Sequence, residues 1–176
     1  MSVAPAAVGR VVLTLLRVGL GTLMVMAGSS KIDDPQSFAV AIKAFELIDA
    51  ERAGWLIIAL AFLIPWLETI AGALLIVGSR TRLAAGVVAV LLAVFLAGLV
   101  AVLASGRDVS CPCFGGMDLF CSGPISVCHI VRNSGLIIAG LVLCVAGPGL
   151  LAVDPPARDP RDDDGLGGPL DERSAG

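Results

Sequence analysis

The sequence predicts an all-α protein, a four-helix transmembrane bundle with long loops after the first and third spans. Three observations carry this. Of 176 residues, 57% are apolar and only 15% charged, against roughly 25% charged in a typical soluble domain. Four apolar stretches each approach the roughly 20 residues that carry a helix across a hydrocarbon core of about 30 Å. Backbone polar groups cannot stay unpaired in lipid, so each stretch is read as a helix. A lipid bilayer is therefore the first partner implied. The same composition excludes a disordered chain, and a net charge of −3 without any basic block gives no support to a nucleic-acid partner.

The spans run over residues 11–28, 55–78, 83–103 and 134–153. Arg17 interrupts the first, and Pro65 and Glu68 lie in the second; the other two carry no charge. The first span could be a cleaved signal sequence, but its length and Arg17 argue against that. Small residues recur within spans, among them Gly19, Gly21, Ala71 to Ala73, Ala84 to Gly86, and Gly135 with Ala139. They let helices approach closely in lipid. The membrane domain is thus 1–153. Residues 154–176 form a tail with seven acids and three arginines, with too little to bury, and it is expected to be disordered.

Four spans put both long loops on one face and both termini on the other, together with the short turn Ser79 to Arg82. Arg80 and Arg82 occupy that turn, where positive charge weighs most in setting orientation. The expected placement is a multi-pass protein of the cell membrane, termini cytoplasmic and long loops extracytoplasmic. Loop one is expected to hold an interfacial helix. Asp34 can cap it and Pro35 suits its first turn. Phe38, Ile42, Phe45 and Ile48 would share one face, with Lys43 and Glu46 on the other.

A charge inside the bilayer calls for a partner or a wet cavity. Counting residues from the ends of the spans brings Arg17 and Glu68 to comparable depths on neighbouring antiparallel helices. An Arg17–Glu68 pair is therefore expected. It would either fix helix register or line a polar pocket for a cofactor, a quinone headgroup, or a proton path. Pro65 is expected to kink the second span nearby.

Cysteine is the strongest chemical signal. Cys144 lies in the fourth span and reads as a packing residue. Cys111, Cys113, Cys121 and Cys128 share one loop, on the side assigned to the oxidising compartment. Four cysteines allow three pairings, which the sequence does not choose between. Cys111 and Cys113 are one residue apart, so a bond between them needs a bent and strained chain. Strained, exposed disulfides exchange readily. That makes Cys111 and Cys113 a candidate exchange pair, with Cys121 and Cys128 a second pair or relay. Two static staples and soft-metal binding are the competing readings. The C-x-C and C-x₆-C spacings fit structural zinc poorly, and His129 reads as interfacial. Neither a Ser-His-Asp set, a phosphate loop nor an H-E-x-x-H motif is present. Whether the chain is an enzyme stays open at this level.

With these residues in view, the chain resembles the MauE family of methylamine-utilisation membrane proteins, within the DoxX-like group. The resemblance is carried by Arg17 with Ala27-Gly28-Ser29-Ser30-Lys31, and by Pro65-Trp66-Leu67-Glu68 followed by Gly72 and Leu74-Leu75-Ile76-Val77-Gly78. It continues through Cys111-Pro112-Cys113-Phe114-Gly115 and Arg132-Asn133. The resemblance implies a four-helix integral membrane protein that acts in maturation of the exported, disulfide-rich methylamine dehydrogenase small subunit. It also implies a thioredoxin-like partner. Cys111 and Cys113 match the family motif directly; Cys121 and Cys128 do so less clearly. The expected function is thiol–disulfide exchange with that partner or another exported cysteine-containing client, linked by analogy to a membrane quinone. A non-catalytic scaffold with stapled loops and a soft-metal uptake protein are the alternatives.

Overall fold

In a computed structural model, residues 5–44, 50–106 and 125–153 are described, and they contain helices and no strand. Five helices follow in order: α1 Pro5–Asp33, α2 Pro35–Ala44, α3 Ala50–Val77, α4 Thr81–Ala104 and α5 Val127–Ala146. Four of them are long and apolar enough to cross a membrane, over Val8–Asp33, Ala53–Val77, Thr81–Ala104 and Val127–Ala146. Two antiparallel pairs, α1 with α3 and α4 with α5, are joined by packing of α3 on α4 and closed by α1 on α5.

The core is made of Leu20 and Met24 from α1, Leu75 from α3, Val88 and Leu92 from α4, and Leu143 from α5. The outer face is apolar too: Leu15, Ile58, Phe62, Val90, Val94 and Val145 are all exposed. In water such a surface would drive association; in lipid it is the solvated face.

Small residues set the closest approaches, though not all of those expected. A Cβ on Gly21 would lie 2.7 Å from the Gly72 carbonyl, and one on Gly72 would lie 2.7 Å from the Gly21 carbonyl. Gly28 meets the Pro65 carbonyl at 2.7 Å in the same sense. Between α4 and α5 the contact is made by Gly140 against Ala85 and Ala89; Gly19 and Gly135 face open space.

α3 runs continuously through Pro65. The residue with non-helical dihedrals is Ala53 (φ −131°, ψ 30°), near the start of the helix. Pro65 is buried against α1, and its carbonyl accepts a hydrogen bond from the Thr69 hydroxyl at 2.9 Å.

The fourth span begins and ends earlier than its apolar run suggested. Ser126 and His129 form a reciprocal cap at the start of α5, which satisfies amide groups that the first helical turn leaves open. That draws Cys128, His129, Arg132 and Asn133 into the helix. At its other end the Gly147-Pro148-Gly149 segment stops the helix, with φ of 87° at Gly147 and 77° at Gly149, values that suit glycine.

The helix expected in loop one is α2. Asp34 accepts a hydrogen bond from the Ser37 backbone N–H at 3.0 Å and another from its hydroxyl at 2.5 Å. These bonds hold the Asp34 carboxyl below its ordinary range. Phe38 and Ala41 are buried, Ile42 is half-buried and Lys43 exposed. Phe45, Glu46 and Ile48, like the tail from 154, lie outside the described residues.

Candidate functional site

The expected Arg17–Glu68 pair does not form. Glu68 instead accepts two hydrogen bonds from Lys31 Nζ, at 2.8 Å to Oε1 and 2.6 Å to Oε2. The side chains of this pair are 6% and 12% exposed. Lys31 Nζ also stands 5.2 Å from the centre of the Phe38 ring, reached from α2, a favourable cation–π distance.

Helix register explains the substitution. With Gly21 against Gly72, four further residues each way bring Arg17 level with Ile76. That is eight residues, or about 12 Å, from Glu68. From Gly28 against Pro65, Lys31 comes level with Phe62, six residues or about 9 Å from Glu68. Direction then decides. Helical side chains lean toward their own N-terminus. In this antiparallel pair Lys31 and Glu68 therefore lean toward one another, and Arg17 leans away. Distance from the ends of the apolar runs misjudged this because α1 extends well past both ends of its run, from Pro5 to Asp33.

The ion pair opens on a small cavity of about 20 Å³ inside the bundle, lined also by Met24, Leu92, Phe95 and Asn133. Asn133 is 1% exposed. Its Nδ2 donates to the His129 carbonyl at 3.0 Å, and its Oδ1 has no hydrogen-bond partner. Sequence reading named Asn133 and Lys31 only as parts of a motif and missed them as site residues. The available signal was that both are polar, on faces shared with the apolar core.

Arg17 belongs to a separate site at the opposite end. It is 2% exposed, and its NH2 nitrogen donates to the Leu151 carbonyl at 3.2 Å. Its Nε and the other terminal nitrogen are buried without a hydrogen-bond partner. Residues 147–153 form a strap across this end. The Leu150 N–H donates to the Thr14 hydroxyl at 2.8 Å, and that hydroxyl lies 3.2 Å from the Leu150 carbonyl. Gly78, at φ 76°, leaves room for the guanidinium: a Cβ there would overlap it.

Cys128 is exposed on the first turn of α5. Cys111, Cys113 and Cys121 lie outside the described residues. Cys144 is a half-buried free thiol facing Gly86, in keeping with a packing role. Among the described residues no three His, Cys, Asp or Glu side chains cluster as a metal site would require.

No curated protein and no solved structure matches the chain. A family model described as methylamine utilisation protein MauE matches residues 9–146. The match takes in all four membrane-crossing helices, the Lys31–Glu68 pair and the cysteine-bearing segment alike, and the chain is accordingly a multi-pass membrane protein of the MauE family, linked to methylamine utilisation.

Proposed function

We propose that the chain is a membrane thiol–disulfide exchange factor serving the maturation of exported proteins. Its reactive group would be the segment that carries Cys111, Cys113, Cys121 and, at the start of α5, Cys128. The observation that carries this reading is the concentration of four cysteines between the end of α4 and the first turn of α5 in a family tied to methylamine utilisation. Arg80 in the short α3–α4 turn and Arg82 in the first turn of α4 favour a cytoplasmic position for the opposite end of the bundle. The termini would then be cytoplasmic and the cysteine loop extracytoplasmic.

Written in the oxidising direction, a thiolate of a thioredoxin-like partner or exported client attacks one sulfur of the loop disulfide. A mixed disulfide forms, and the loop's other sulfur leaves as a thiolate. The partner's second thiol then displaces the loop, so the partner gains a disulfide and the loop becomes a dithiol. Two electrons have moved to the loop, and a membrane quinone would accept them with two protons to become the quinol. Cys111 and Cys113 are the proposed exchange pair, with Cys121 and Cys128 as second pair or relay.

Trapping tests this. In Cys113→Ala the loop disulfide cannot form; run in reverse, the lone Cys111 thiolate attacks a partner's disulfide, one partner sulfur leaves as thiolate, and with no second loop sulfur to resolve it the mixed disulfide should accumulate on a non-reducing gel. Static staples give no such adduct, and its absence would refute exchange. Labelling of intact cells with a membrane-impermeant thiol reagent after reduction tests the sidedness. Modification from the outside is expected; modification only from the cell interior would overturn the placement.

A further inference from the structure

We propose that Arg17 and Arg82 bind the phosphate group of an anionic phospholipid, at the end of the bundle that residues 147–153 close. This does not rest on the cysteine chemistry. Arg17 is 2% exposed, and its Nε and Nη1 are buried without a hydrogen-bond partner. A guanidinium stays charged in proteins, and a buried charge without a counter-ion is strongly disfavoured. The carboxylates among the described residues are Asp33, Asp34, Glu51 and Glu68. Asp33 and Asp34 stand at the far end of α1, about 24 Å from Arg17 along the helix. Glu51 opens α3 at that same far end, and Glu68 is taken by Lys31. The one acceptor that Arg17 has is the neutral Leu151 carbonyl. What the site lacks is an anion from outside these residues.

Its position selects a lipid phosphate. The Gly21–Gly72 contact brings Arg17 level with Ile76. There α3 ends at Val77, α4 begins at Thr81 and α5 ends at Ala146. Three of the four membrane-crossing helices stop at this depth, which is that of the headgroups; α1 alone continues, to Pro5. The surroundings are apolar, for Leu15 of α1 and Leu151 and Val153 of the strap are all exposed. Cationic groups within an apolar rim suit a molecule that joins a phosphate to acyl chains, whereas free phosphate has no use for the rim.

The strap connects the two arginines. At its start a Cβ on Gly147 would lie 3.8 Å from Nε and Nη2 of Arg82, an exposed side chain in the first turn of α4. Further on, Leu151 meets Arg17. Two hydrogen bonds hold the strap down, from Arg17 to the Leu151 carbonyl and from the Leu150 N–H to Thr14. Leu151 is itself held at φ 54°, a region that bulky side chains disfavour. Lifting the strap relieves that conformation and uncovers Nε and Nη1. A phosphate oxygen then replaces the neutral carbonyl, and a charge-assisted bond is roughly twice as strong as a neutral one. No covalent bond changes and no proton moves.

Native mass spectrometry of the full chain in an uncharged detergent, with phosphatidylglycerol titrated in, tests this. One lipid should bind ahead of the rest, and amide exchange at Leu150 should quicken as it binds. Arg17→Gln should weaken that first binding about tenfold, the loss of one charge-assisted hydrogen bond. Arg82→Gln alters an exposed side chain, so it is informative even where Arg17→Gln fails to fold, and it should weaken binding to a similar extent. Lys43→Gln, exposed on α2 at the opposite end, should not. Binding unchanged in either arginine variant would overturn the proposal. Diacylglycerol with the same chains should not compete, and excess inorganic phosphate should not displace the lipid. Competition by the first would leave an acyl-chain contact and displacement by the second a free-anion site, and either overturns it. Replacing the seven acids that follow residue 153 by their amides should leave binding unchanged; a rise of about tenfold would assign Arg17 to the chain's own carboxylates, with the same consequence.

Discussion

Removing Lys31 is the sharpest test of how this bundle is held together. In Lys31→Met the apolar stem is kept and the ammonium lost, so Glu68 is left 12% exposed with neither of its two bonds, at 2.8 Å and 2.6 Å. At 2.6 Å and an effective dielectric of about 20, the gross attraction is about 6 kcal/mol. Desolvation of both groups takes back much of it. The asymmetry is therefore the informative quantity. Breaking a buried pair by deleting one partner costs about 3–5 kcal/mol, whereas replacing both by apolar groups of similar size is close to neutral. Lys31→Met and Glu68→Leu should each fall in the destabilised range, and the double variant should recover most of the loss. Trp55 and Trp66, both exposed on α3, report unfolding by fluorescence as denaturing detergent is titrated into mixed micelles. Single variants within about 0.5 kcal/mol of the parent, with no coupling in the cycle, would refute the reasoning. So would coupling of Glu68 to Arg17 in place of Lys31, since it would require a different α1–α3 register.

Other outcomes follow from the same geometry. Gly28→Ala places a methyl against the Pro65 carbonyl and the Thr69 hydroxyl, and should destabilise by about 1–3 kcal/mol in the same detergent titration; Gly19→Ala, which meets nothing, should not. Thr14→Val removes the acceptor of the Leu150 N–H, so exchange of that amide should quicken about fivefold, the equivalent of about 1 kcal/mol for one hydrogen bond. For Asp34 the folded carboxyl lies below its ordinary value, so its stabilisation of α2 is complete above the ordinary carboxylate range and is lost as pH falls through the folded value. The protection factors of the Ser37 and Phe38 amides, exchange corrected for its intrinsic pH dependence, should fall at acid pH in the parent and should be low and insensitive to acid in Asp34→Ala.

The comparison of sequence with structure turns on what kind of information each feature needs. Helix existence was legible because the bilayer leaves the backbone few choices, and an apolar run of sufficient length must pair its own amides. The capped α2 was legible because Asp34 and Pro35 are local signals that act within one turn. The start of α5 was not, because hydropathy counts Cys128, His129, Arg132 and Asn133 as loop-like, while the cap at Ser126 makes them helical. Their polar side chains are tolerated where they turn inward, as buried His129 and Asn133 do.

By itself, the sequence determined that this chain lives in a membrane as helices, which ends carry the cysteines and the short arginine turn, and which family it resembles. Those are consequences of composition and order along the chain. Only the tertiary structure decided which charge meets which. Partner choice depends on the offset between two antiparallel helices, and that offset was set by glycines 21, 28 and 72 closing on backbone atoms opposite. Once they close, the lean of helical side chains turns Lys31 toward Glu68 and Arg17 toward the strap at Leu151.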